Sequence, residues 1–140
     1  MRSYLLNYHW PTIYSTSTPL HTVATTAAAY RLVAGAYGKS ARETLFGLVD
    51  LFREALGEEA RAMLVGGPDT PIQSLVLPGN ERVMAVAAAL REEGMDCRAV
   101  RSPTVPAGME RIRVVLHAHN ARDGVRELAE RLRALAVVGR

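Results

Sequence analysis

The feature that most constrains this fold is a change of punctuation at "GGPDTP", residues 66–71. From Leu20 to Val65 the chain has no proline, and its apolar residues recur at helical spacing. Beyond residue 71, short apolar runs alternate with glycine, proline and asparagine. A helix needs a sustained three-to-four residue period, whereas a strand needs only a short run bounded by turn residues. The sequence therefore predicts an α+β fold. A helical N-terminal arm covers residues 1–66, and a small α+β domain covers 67–140, with a sheet of about three strands and helices on one face. A chain of 140 residues can bury about 70% of the surface that its unfolded form exposes, enough for one core.

In the first half, "LHTVATTAAAYRLVAG" follows "STSTP" and is alanine-rich, with Gly35 and Gly38 punctuating its end. Ser40, with Glu43 three residues on, reads as a capping box that starts a second helix. Leu45, Leu48, Val49, Phe52 and Leu56 make its apolar stripe, so the two segments form halves of one kinked arm. In the second half, "IQSLVL" (72–77), "DCRAV" (96–100) and "RIRVVLHAH" (111–119) read as strands. Asn80 is expected to cap a helix that stops at Gly94, and Asn120 to cap the last helix.

Charge and cysteine content narrow the partners. Net charge is +3, with no Lys/Arg block, which disfavours nucleic acid. No apolar run is long enough to span a membrane. The start, "MRSYLLNYHW", lacks the apolar core of a signal peptide. Cys97 is the sole cysteine, so no disulfide can form within the chain, which suits the reducing cytoplasm.

Several stretches carry candidate chemistry. Lys39, in "GKS", is the single lysine. A phosphate-binding loop would need glycine where Val33 stands and a strand ahead of it, so a helix break is expected instead. His117 and His119 share a strand face and would begin a metal site with Cys97, or else are an ordinary strand-end pair; no third ligand is evident. "YSTSTPLHT" (14–22) holds six hydroxyls ahead of a helix, as caps or as a socket for phosphate. On the third strand, alternation sets Ile112, Val114 and Leu116 on one face and Arg111, Arg113 and Val115 on the other. The arginines are either a solvated face or a guanidinium fork for a carboxylate, beside a loop stiffened by Pro103 and Pro106.

"SPTVPAGMERIRV", together with "IYSTSTP" and "IQSLVLPGNERVMAVAAALREEGMDCRAVRSPTVPAG", resembles the α-oxoamine synthases in order and spacing over nearly the whole chain. The resemblance implies pyridoxal-phosphate enzymes of the aspartate-aminotransferase fold type. These condense an amino acid with an acyl thioester, here in the branch that serves biotin synthesis. By that resemblance Arg113 holds the amino-acid carboxylate and Thr104 lines the substrate site. Thr16 and Ser17 reach the cofactor phosphate of the neighbouring subunit in a homodimer. Residues 1–66 would include a remnant of the larger domain and the segment between domains. The chain departs from the pattern where Thr18 and Leu20 replace leucine and proline, and where Asn120 replaces a histidine, with His119 one place earlier. The family's cofactor lysine, and the histidine and aspartate before it, would lie upstream of Met1; Lys39 is in the wrong context.

Three roles follow. The chain is the C-terminal portion of such a synthase, inactive until a partner chain supplies the pyridoxal-phosphate domain. Alternatively it is a dimerising regulatory module, or an inactive gene fragment. The last predicts that the stripe at Leu45, Leu48, Val49 and Phe52 is partly exposed.

Overall fold

The computed structural model describes residues 1–137. The chain divides into two units, Met1–Lys39 and the residues from Ser40 onward. Residue 66, where the sequence suggests a boundary, falls inside the second. Among the described residues there are seven helices and one four-stranded sheet, so the α+β expectation holds.

The first unit contains α1 (Arg2–Tyr8), α2 (Trp10–Ile13), α3 (Leu20–Ala34) and the start of α4 (Ala36–Ala55). None of the residues of α1, α2 or α3 is buried. The hydroxyl cluster does not cap α3. Its N-cap is Pro19, with no side-chain hydrogen bond. Ser40 does not begin the next helix either. The break is at Gly35 alone, and α4 starts at Ala36. Ser40 lies inside α4, and its carbonyl accepts from Thr44 Oγ1 at 3.1 Å. Nothing in "AYGK" disfavours helix strongly enough to delay the start. Gly38 is needed for another reason: a Cβ there would collide with the Val33 carbonyl.

The second unit holds the rest of α4, then α5 (Gly57–Arg61), β1 (Leu64–Val65), β2 (Ile72–Val76), α6 (Asn80–Glu92), β3 (Arg98–Val100), β4 (Arg111–Val115) and α7 (Arg122–Val137). The strand order is β1-β2-β4-β3, antiparallel throughout. β1 was not foreseen, because two residues carry no periodicity; the "GGPDTP" turn pairs it with β2. β4 stops at Val115, so His117 and His119 lie past the strand.

The alternation in β4 is as expected: Ile112 and Val114 are buried, and Arg113 and Val115 are exposed. The inner face, with Leu75, packs on Val83, Ala87 and Leu90 of α6, on Val125, Ala129 and Leu132 of α7, and on α4. Leu48, Val49, Phe52 and Leu56 are buried in this core, with Leu45 packed against it. The exposed stripe expected of an inactive fragment is thereby overturned: α4 has found a sheet to cover. Each such large side chain contributes about 1.5–3 kcal/mol on burial.

A polar side chain of β2 sits against that core. Gln73 is 1% exposed. Its Oε1 accepts from Arg53 Nη1 at 2.7 Å, and its Nε2 donates to the carbonyls of Thr70 (2.8 Å) and Gly67 (3.3 Å). Its carboxamide therefore exchanges hydrogen bonds with water for bonds that tie α4 to the turn before β2.

Candidate functional site

Within the second unit the described helices pack on one face of the sheet, and Arg113 points from the other. Ser74 of β2 and Arg98 of β3 stand directly opposite it on the neighbouring strands. Arg98 is paired with Asp96 at 3.0 Å. Arg111, two residues before Arg113 on the same face, turns its Nε back to the Met109 carbonyl at 3.0 Å. Arg113 has no hydrogen bond or ion pair within the described residues, and it is exposed. The sheet therefore presents one uncommitted guanidinium on a rigid strand, between a hydroxyl and a second, neutralised guanidinium. An exposed guanidinium with no acid of its own is poised to take a carboxylate by two parallel hydrogen bonds.

The loop feeding β4, residues 101–110, is the second component. Thr104 is exposed on it, and the Ser102–Pro103 peptide is cis. Both ends of this loop are fastened to the start of α6 or to the turn just ahead of it. Asn80 Oδ1 accepts the Ser102 N–H at 3.1 Å. Glu110 Oε2 accepts the N–H groups of Gly79 (3.0 Å) and Gly108 (2.9 Å), and the Glu110 carbonyl accepts from Leu77 N at 2.7 Å. Glu110 is 3% exposed. The Gly79 amide, ahead of the other contacts, holds its carboxyl below the ordinary range, because a carboxylate that accepts N–H groups is favoured in its charged form.

These bonds correct two expected caps. Asn80 does not cap α6; the N-cap is Gly79, and the carboxamide is spent on the loop. Asn120 does not cap α7, which begins at Arg122; its Oδ1 accepts the His117 N–H at 2.7 Å and closes a turn. In that turn the rings of His117 and His119 stack, with centroids 5.1 Å apart. Cys97 is buried and lines a cleft of about 290 Å³ with Met95, Asn120 and Gly124. Among the described residues no three His, Cys, Asp or Glu side chains gather as metal ligands.

Thr16 and Ser17 lie in the first unit, in the irregular segment between α2 and α3, and both are exposed. Ser15 gives its hydroxyl to the Thr12 carbonyl at 3.0 Å, whereas no such bond engages Thr16 or Ser17. Thr104 and Arg113 thus belong to one unit, and the hydroxyl pair to the other.

Comparison with known proteins places this arrangement. The family model for aminotransferase class I and II matches residues 1–132. The chain belongs to that family. Its curated relatives bear out the resemblance to the α-oxoamine synthases. It is 36% identical over 135 residues to an 8-amino-7-oxononanoate synthase of Polaromonas naphthalenivorans, covering 93% of this chain and 32% of the relative. It is 40% identical over 123 residues to the synthase of the same name from Aromatoleum aromaticum, covering 88% and 31%. A solved structure of SPT with a PLP internal aldimine superposes with a TM-score of 0.77 at 23% identity, over 96% of this chain and 33% of that one. This class I and II chain therefore spans about a third of the length of the relatives it matches.

Within this aminotransferase-family unit, the residues that sequence patterns missed are Glu110 and Gln73. Glu110 adjoins "RIRV" and reads as one more strand-edge charge, and its partner Gly79 is 31 positions away. Only the position of Glu110, between a proline-bearing loop and an apolar strand, hints that its backbone is shielded.

Proposed function

We propose that this chain supplies the acid-binding wall of a pyridoxal-phosphate-dependent acyltransferase of the 8-amino-7-oxononanoate synthase kind, in a biotin-type pathway in the cytoplasm. The observation that carries this is Arg113, an uncommitted guanidinium on the sheet face opposite the helices of its own unit. It would grip the carboxylate of the amino-acid substrate, and Thr104 would line the substrate site.

The hydroxyls of Thr16 and Ser17 fit a cofactor phosphate, being exposed and not engaged by their own chain. They would serve the site of a second subunit in a homodimer, or of a chain that supplies the cofactor domain. Pyridoxal phosphate, when bound, supplies the electron sink for carbon–carbon bond formation at the amino acid. Lys39, the one lysine, lies within α4 and away from the hydroxyl cluster in sequence, so it does not fit as the amine that joins the cofactor. These 140 residues by themselves would accordingly be inactive.

The test is complementation. The chain, mixed with a synthase truncated so that it lacks the matching third, should restore the visible absorbance of bound cofactor and the acyl transfer. The chain alone should do neither. Arg113→Met should lower kcat/KM for the amino acid at least tenfold, and Lys39→Ala should leave it unchanged. Undiminished turnover in Arg113→Met would sink the proposal. A regulatory module that pairs with a complete synthase is the second reading, favoured by the exposed aromatic residues Tyr4, Tyr8, Trp10 and Tyr14. It predicts co-purification with that synthase and altered activity, without complementation.

A further inference from the structure

We infer that Glu110 is a positioning residue: it latches the Thr104 segment to the turn ahead of α6, so that the loop presents its hydroxyl from a fixed place. The functional weight of this rests on the proposed substrate role of the loop, but the latch is measurable without any substrate.

Residues 101–110 join β3 to β4, and most of their side chains are exposed. A loop with so little apolar burial opens locally at low cost unless its backbone is tied down. Here it is tied twice, and both ties reach the same dipeptide. The Ser102 N–H goes to Asn80, and Glu110 spans from the Gly108 N–H to that of Gly79. The stretch between the ties is thereby cut to residues 103–107, with Thr104 near its start, and inside the loop the Val105 N–H goes to the Arg101 carbonyl (3.3 Å) and the Met109 N–H to that of Pro106 (3.0 Å). Gly79 sits at φ +102°, a backbone state that a side chain would strain, so the turn that offers its N–H depends on that glycine.

The chemistry of the latch suits positioning. A carboxylate that accepts N–H groups makes hydrogen bonds roughly twice as strong as neutral ones. Being 3% exposed, Glu110 is shielded from competing water. The three hydrogen bonds made by its carboxylate and carbonyl all go to backbone N–H groups of the loop and of the turn at residues 77–79. Its carbonyl bond to Leu77 extends the pairing of β2 with β4, whereas its carboxylate bonds to Gly79 and Gly108 order the loop. Holding a substrate-lining hydroxyl in place beforehand avoids the ordering cost at binding.

Amide hydrogen exchange on the 140-residue chain, without cofactor, tests this. In Glu110→Ala the hydrogen-bonded loop amides, those of Val105, Gly108 and Met109, should exchange about tenfold faster or more, as expected for loss of a charge-assisted bond. Those of β2 and β4 should move by less than about twofold. Glu110→Gln keeps an acceptor oxygen in the same place and should bring the loop back to within about threefold of the parent, with the residual effect at Gly79 and Gly108. Asn80→Ala should speed the Ser102 amide while leaving that of Gly108 alone. The inference is overturned if the loop amides in Glu110→Ala match the parent, or if loop and strands accelerate together and Gln rescues neither. Should Glu110→Ala not fold, Glu110→Met, which keeps the length and carries no acceptor oxygen, decides: unchanged exchange at both Gly79 and Gly108 overturns the latch. Failure here leaves the Arg113 test untouched, and failure of Arg113 leaves the exchange pattern standing.

Discussion

The two units of this chain treat apolar residues in opposite ways. The second gathers Phe52, Leu75, Leu90, Ile112 and Leu132 into one core. The first displays Tyr4, Tyr8, Trp10, Tyr14, Leu20 and Tyr30 to solvent. Composition does not explain the difference, since both regions are rich in apolar residues. Arrangement does. In α4 the apolar positions form one stripe, and a sheet with a matching inner face lies within the same unit. In α3 the alanines, threonines and valines are spread round the helix, and no sheet accompanies it. A helix becomes part of a core when it has both a face and something to cover.

The contrast is broken most directly at Phe52. It is fully buried, and Phe52→Ala should destabilise the second unit by about 3–5 kcal/mol, through lost transfer energy and an unfilled cavity. Urea unfolding followed by circular dichroism would show it; a loss below about 1 kcal/mol would mean that α4 is not anchored on the sheet.

Cys97 gives a chemical measure of the same core. Burial, and secondarily the Asp96 charge, push its thiol from 9.0 up to about 11. At pH 8 the folded chain should therefore be alkylated by iodoacetamide about a hundredfold more slowly than the chain in urea, because the thiolate is the nucleophile. The raised value also fixes a sign. Between pH 9 and 11 the unfolded thiol ionises while the folded one keeps its proton, so this group's contribution to stability falls as pH rises. A Cys97→Ser chain should lose less stability over that window than the parent.

Much of this architecture was legible in sequence, for physical reasons that also explain the gaps. Period-two alternation identified the buried face of β4, and three-to-four spacing identified the stripe of α4, because both patterns are local. The asparagines misled because a carboxamide oxygen accepts any N–H within reach. Asn80 finds Ser102 and Asn120 finds the backbone of His117, and neither serves the helix start beside it. Ser40 misled in the same way: a capping-box pattern has no force when the preceding residues are already helical. Alternation presents Arg113 only as one of a pair, and the family resemblance singles it out. The coordinates add that Arg111 is folded back on Met109 and that Arg113 is uncommitted. Glu110 and Gln73 take their partners from turns and from another element, connections that no local pattern carries.

The smallest expected effect lies at the other pole of the comparison. Trp10 is the only tryptophan and is 72% exposed. Its ring meets Tyr14 edge-on at 6.2 Å, a neighbour on the same short stretch. Removing such a side chain takes little apolar area out of the folded state, so Trp10→Ala should shift unfolding by no more than about 0.5 kcal/mol. Its fluorescence should then report on what Phe52 cannot. In the chain alone the emission should be that of a hydrated indole, unchanged by urea. With the truncated synthase added, it should shift to the blue as a partner surface covers the ring. An emission already blue in the isolated chain, or a loss of 2 kcal/mol in Trp10→Ala, would show that the first unit buries its aromatics without help, and the contrast between the units would be gone.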